Sequence, residues 1–178
     1  MTLQLRTLPT ADLTGAGRAR LRAFLDAAFP HFTDEGWSHC LGGVHVLATR
    51  DGELAGHASV VGRQLIAGGR TLRTGYVEAV ATGAAHRRQG VGTAVMAEVE
   101  RLVTGGSELG ALSASADGAA LYTARGWLPW TGPTAALTPD GVVGTDPERI
   151  FVLPTPEGPD PLDTTGRLVC DWRRGALS

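Results

Sequence analysis

Leu3, Leu5 and Thr7 alternate with polar residues ahead of Pro9, a period of two that predicts a first strand. From Asp12 to Phe29 the apolar positions Leu13, Leu21, Phe24, Leu25 and Ala28 fall near helical spacing, and Pro30 closes the element. Thr33, Asp34 and Glu35 open a short second helix through Trp37: the threonine can cap it and the acids suit the positive end of the helix dipole. Strand-like runs follow at Val44 to Thr49, Leu54 to Ile66 and Thr71 to Thr82. Asp51-Gly52 and Gly68-Gly69 divide them, which implies an antiparallel meander. Helical spacing returns at Val91, Val95, Met96, Val99, Leu102 and Val103 and stops at Gly105-Gly106. A strand at Leu109 to Ser113, a short helix from about Asp117 to Arg125 capped by Ser115, and a strand at Trp127 to Trp130 complete the order β-α-α-β-β-β-α-β-α-β. That order predicts a mixed α/β (α+β) fold, a central sheet containing an antiparallel meander with helices on both faces. From about residue 131 proline and glycine become dense, and two apolar strands, Ile150 to Leu153 and Leu168 to Trp172, are embedded in a loop-rich extension of one domain spanning residues 1–178.

Composition narrows the function classes. A chain of 178 residues can bury roughly 70% of its unfolded surface in one core, so no disulfide or metal is required to hold it. Sixteen basic against eighteen acidic residues give a net charge of −2, which argues against a nucleic-acid binder, so a charged partner must be met by a local patch. All sixteen basic residues are arginine, which excludes a lysine nucleophile or Schiff base. Cys40 and Cys170 are too few for a disulfide scaffold, and neither they nor His39, His45, His57 and His86 show metal-ligand spacing, so no metal is expected. Met1 to Pro9 lacks the pattern of a signal peptide, and no apolar run approaches a membrane span, so a reducing cytoplasm is the expected location.

Two places carry chemistry. At the junction of the third meander strand and the long helix stands Arg87-Arg88-Gln89-Gly90-Val91-Gly92. Glycines there let backbone N–H groups approach a phosphate, the helix start adds partial positive charge, and the arginines add charge-assisted bonds. The hexapeptide is neither a Walker loop nor the dinucleotide fingerprint. The preceding strand, Gly75-Tyr76-Val77-Glu78-Ala79-Val80-Ala81, is apolar except at Glu78. A carboxylate there is either a solvated-face residue or a general base whose pKa burial raises. Tyr122, inside the short helix, is either a core phenol or a proton donor to a leaving thiolate.

This order of elements, together with Arg87-x-x-Gly90-x-Gly92, resembles the GNAT N-acetyltransferase superfamily over nearly the whole chain. The blocks Leu41-Gly42-Gly43-Val44-His45, Gly75-Tyr76-Val77-Glu78, Leu109-Gly110-Ala111-Leu112-Ser113, Leu121-Tyr122, Gly126-Trp127-Leu128-Pro129-Trp130 and Cys170-Asp171-Trp172-Arg173 are similar to the aminoglycoside 2′-N-acetyltransferases. The resemblance implies a GNAT fold and acetyl-coenzyme A as cosubstrate, with backbone from Val80, Ala81 and Thr82 on the pantetheine arm. It implies the pyrophosphate on Arg87, Arg88, Gln89, Gly90, Val91 and Gly92. Glu78 would be the base, acting through a water, and Tyr122 the acid. His31, Glu78, Ala79, Ser113, Asp146 and Trp172 would meet the amine substrate, and family habit implies a homodimer.

The acceptor side departs from that pattern. Where the polycation-binding members carry early-loop acids stand His31 and Gly36, and the chain ends Ala176-Leu177-Ser178 in place of an acid and an aromatic terminus. Asp146 remains, with Glu148 close by, and Asp34 and Glu35 lie near but shifted. Each missing carboxylate removes about 1.5 to 3 kcal/mol of charge-assisted bonding to an ammonium. A less cationic aminoglycoside, kasugamycin foremost, is therefore the expected acceptor. Two alternatives stand beside it: a GNAT enzyme acting on another small amine or a protein N-terminus, and a non-catalytic coenzyme A sensor.

Overall fold

The computed structural model describes residues 2–145 and 149–173. The chain divides into two compact units, Met1–Val61 with Val77–Leu102, and Gly62–Tyr76 with Val103–Ser178.

The first unit starts with strand β1, Leu3–Pro9, followed by a 3-10 turn at Thr10–Asp12 and helix α1, Gly15–Ala28. The Thr14 side chain accepts from the Gly17 N–H and so caps α1, which begins three residues after the position its apolar spacing predicts. Helix α2, Asp34–Cys40, has Thr33 as its cap, accepting from the Gly36 N–H. It runs past Trp37 to Cys40 because Cys40 is buried in the cluster formed by Leu8, Leu13, Leu21, Leu25 and Ala81. Strands β2, Val44–Arg50, and β3, Glu53–Ala67, pair antiparallel, and β1 pairs antiparallel with β2. β4, Arg70–Thr82, neighbours β3. The meander is thus as the turn residues predict, with Asp51, Gly52, Gly68 and Gly69 all at positive φ. After a 3-10 turn at Ala84–His86 comes the long helix α3, Val91–Gly106.

Each face of this sheet carries its own helix contact. Leu47 and Ala81 join the α1 cluster. On the other side, a Cβ at Gly56 would lie 2.6 Å from Val91 Cγ1 and 3.2 Å from Val95 Cγ2, so α3 rests directly on the β3 backbone. Only glycine permits that approach, and it seats the start of α3 at the end of β4.

The second unit orders its strands β6-β9-β5-β4-β3-β10-β7-β8. Here β5 is Leu109–Ser113, β6 Leu128–Pro129, β7 Thr134–Thr138, β8 Gly141–Gly144, β9 Ile150–Pro154 and β10 Leu168–Cys170, with helix α4 at Ala119–Ala124. Its core gathers Leu65, Leu72, Tyr76, Leu109, Trp130, Ile150, Val152 and Leu168. The segment after Pro129 differs from the expectation of loops around two strands. β7 and β8 form an additional antiparallel hairpin around Pro139-Asp140-Gly141, and β7 runs parallel to β10. The Thr-Ala-Ala-Leu-Thr and Gly-Val-Val-Gly runs are short and small, so their strand character comes from pairing rather than from pattern.

Candidate active site

β4 delivers the candidate base. Val77 is buried, Glu78 half-buried, and Ala79 adopts φ +48°, the left-handed region that a side chain makes costly by about 1–3 kcal/mol. That kink lies within β4, one residue after Glu78. Two contacts hold it. The Ala79 methyl packs against the α1 cluster, and the Ala79 carbonyl accepts from His57 Nδ1 at 2.8 Å.

Beyond the kink, Val80 and Thr82 are half-buried while Ala81 is buried in the α1 cluster, which leaves Ala81 only its backbone for a ligand. The Gly83 N–H closes the strand on the Ala55 carbonyl at 2.9 Å. In the turn that follows, Arg88 and Gly90 both have positive φ, and Arg87, Arg88 and Gln89 are exposed. A Cβ on Gly90 would meet nothing within 4 Å, so this side of the turn is open backbone. The Ala94 N–H bonds the Gly90 carbonyl at 3.0 Å, which makes Gly90 the entry to α3 and aims the first helical N–H groups outward. Val91 turns its side chain inward against Gly56 and offers backbone alone. An anionic group fits here: open N–H groups at a helix start and two exposed guanidinium groups are its natural partners.

Arg50 is a residue the sequence pattern did not single out. At the end of β2 its guanidinium donates to the Gln89 side-chain carbonyl, while Gln89 Nε2 donates to the Ala85 carbonyl at 2.8 Å. The turn is thereby tied to the sheet. The positions are 39 residues apart, and only the β2 register joins them.

Tyr122 lies in the second unit, on α4. Ser115 accepts from the Gly118 N–H at 3.2 Å and starts the turn that leads into the helix. The ring is buried against Trp127 and Phe151, with centroids 6.2 and 6.0 Å away. Burial pushes its phenol up to about 12, so at neutral pH it carries its proton. Ser113 is exposed at the end of β5, and Trp172 is half exposed beyond β10, whereas Trp127 and Trp130 are buried anchors. Trp172 is thus not the packing residue that tryptophan usually is.

His31 is exposed in the link between α1 and α2. Beside it Phe29 and Phe32 stack at 5.6 Å, and Arg22 lies over the Phe32 ring while pairing with Asp34 and Asp26, each at 2.8 Å. Asp146 and Glu148 lie outside the described residues, as does the Ala176-Leu177-Ser178 end. The first unit therefore holds Glu78, Ala79, the residues 80–82, the 87–92 turn and His31, and the second holds Tyr122, Ser113 and Trp172.

A family profile described as Acetyltransferase (GNAT) domain matches residues 4–129. The chain belongs to the GNAT acetyltransferase family. It is 47% identical over 175 residues, 96% of this chain and 89% of the relative, to an aminoglycoside 2′-N-acetyltransferase of Mycolicibacterium fortuitum. Among solved structures this GNAT chain is similar in fold to Escherichia coli ElaA, with TM-score 0.61 and 18% identity over 85% of this chain and 99% of that one. It is also similar to Eis1 of Mycobacterium abscessus, with TM-score 0.61 and 23% identity over 75% of this chain, though it spans only 33% of the Eis1 chain. Members of this family transfer an acetyl group from acetyl-coenzyme A. Among the described residues, no helix is long and apolar enough to cross a membrane.

Proposed function

We propose that the protein acetylates the 2′-amine of an aminoglycoside, using acetyl-coenzyme A, with Glu78 as general base through a water and Tyr122 as general acid. The observation that carries the reading is the 47% identity over 96% of the chain to an aminoglycoside 2′-N-acetyltransferase. The site chemistry agrees with it. An ammonium must lose a proton before its nitrogen can attack, and Glu78 is a half-buried carboxylate placed beside a kink in β4. The amine nitrogen forms the new C–N bond, strand N–H groups stabilise the oxyanion, and the C–S bond then breaks. Tyr122, held protonated by burial, supplies the proton that the departing thiolate takes. No covalent enzyme intermediate is needed.

The acceptor is an aminoglycoside with few amines, for which kasugamycin is the leading case. At the early-loop positions His31 and Gly36 stand where the resemblance implies carboxylates, and the neighbouring Asp34 shares the Arg22 guanidinium with Asp26. Less negative charge is therefore available there for a polycation.

Thiol release tests the catalytic reading against a sensor that merely binds coenzyme A. Glu78→Gln should lower kcat about 10²-fold or more and leave acetyl-coenzyme A affinity unchanged. A Glu78→Gln protein as fast as the parent would move the base elsewhere, and a parent that releases no thiol with any amine would make the protein a binder.

A further inference from the structure

Thr10, His45 and His57 form a buried chain of hydrogen bonds that ends on the Ala79 carbonyl. His57 Nδ1 lies 2.8 Å from Ala79 O, His57 Nε2 lies 3.0 Å from His45 Nδ1, and His45 Nε2 lies 2.7 Å from Thr10 Oγ1. The Gly42 N–H donates to Thr10 Oγ1 at 3.0 Å. Both imidazoles are 0% exposed. Strand register brings them together: His45 faces Ser59 across β2 and β3 and Leu47 faces His57, so the two rings are diagonal neighbours.

One acceptor sets every proton in the chain. A carbonyl only accepts, so His57 Nδ1 must donate to Ala79 O. In a neutral ring Nε2 then accepts, which requires the proton of His45 on Nδ1. His45 Nε2 in turn accepts from the Thr10 hydroxyl, whose oxygen takes the Gly42 N–H. The facing charge is Arg18 from α1, whose Nη2 donates to the Thr10 carbonyl at 3.1 Å and disfavours an imidazolium at His45.

An apolar pair would fill this space without desolvating two imidazoles. What the chain supplies instead is a directed donor at the one strained residue of β4, next to Glu78. We infer that His57, held in its tautomer by His45 and Thr10, is a positioning residue that fixes the Ala79 kink and through it the aim of Glu78. The inference rests on Glu78 being the base.

A double-mutant cycle tests it, with acetyl-coenzyme A and whichever of kasugamycin and tobramycin is acetylated faster. His57→Leu should lower kcat about 10- to 100-fold with little change in KM for acetyl-coenzyme A, the scale of a displaced catalytic group. His57→Asn, whose amide N–H can still reach Ala79 O, should recover most of that loss. Because His57 acts through Glu78, the pair Glu78→Gln with His57→Leu should be no slower than Glu78→Gln alone. Losses that multiply, or a folded His57→Leu protein at parental rate, would overturn the inference while leaving Glu78 as base. A fast Glu78→Gln protein would overturn the base assignment first. If His57→Leu does not fold, Thr10→Val replaces it in the cycle, with the same lack of additivity expected and multiplied losses again fatal.

Discussion

Protonating His57 would set two N–H groups against each other across 3.0 Å, and burial resists the charge as well. Burial lowers His57 to about 3, its bond to Ala79 opposing in part and His45 adding to the lowering, and burial with Arg18 lowers His45 to about 4. Both values lie below the ordinary 6.5, so the unfolded chain takes up protons first as pH falls. Stability from this pair is complete above about 6.5 and is lost as pH drops toward 4 and then 3. Each histidine contributes a slope of about 1.4 kcal/mol per pH unit in that window. Urea midpoints between about pH 7.5 and 5 should fall accordingly, and His57→Leu should show a shallower slope; equal slopes would contradict the buried neutral pair. Glu78 was legible in the sequence because it is the one charge in an apolar run. The histidine chain was not, since residues 10, 45, 57 and 79 share no spacing and meet only through β-register and a kink that no pattern announces.

The unit β4, turn and α3 was readable because apolar alternation, two glycines and helical spacing follow one another without interruption. What the pattern did not disclose is how α3 is seated. Gly56 reads as an ordinary strand glycine, yet a Cβ there would stand 2.6 Å from Val91, a stiff β-branched residue in the first turn of α3. Gly56→Ala should therefore push the helix start off the sheet, lowering stability by about 1–3 kcal/mol and weakening acetyl-coenzyme A binding. A denaturant midpoint shift with unchanged slope would register the first effect, and unchanged values for both stability and affinity would show that the helix start is not held by this contact. The β7–β8 hairpin escaped the pattern for the opposite reason. Its residues are small or exposed, Val142 and Val143 among them, and its Pro-Asp-Gly corner looks the same in a loop as in a hairpin.

Across the molecule, the net charge of −2 excludes little by itself. Its distribution is more informative: Glu78 stands in an apolar strand, Asp34 and Asp26 are taken by Arg22, and Asp171 is taken by Arg63 at 2.6 Å. Three acids are thus paired within the protein, two of them sharing one guanidinium. Family membership and the turn between β4 and α3 agree between sequence and structure, whereas the proposed acceptor rests on the acceptor-side carboxylates. The most direct test incubates the protein and acetyl-coenzyme A with kasugamycin, gentamicin and tobramycin and locates the added acetyl group by tandem mass spectrometry. The expected result is a single acetyl on the 2′-amine, with kasugamycin turned over faster than the more cationic drugs. Acetylation at another amine would contradict the regiochemistry, and equal or faster turnover of gentamicin or tobramycin would contradict the charge argument.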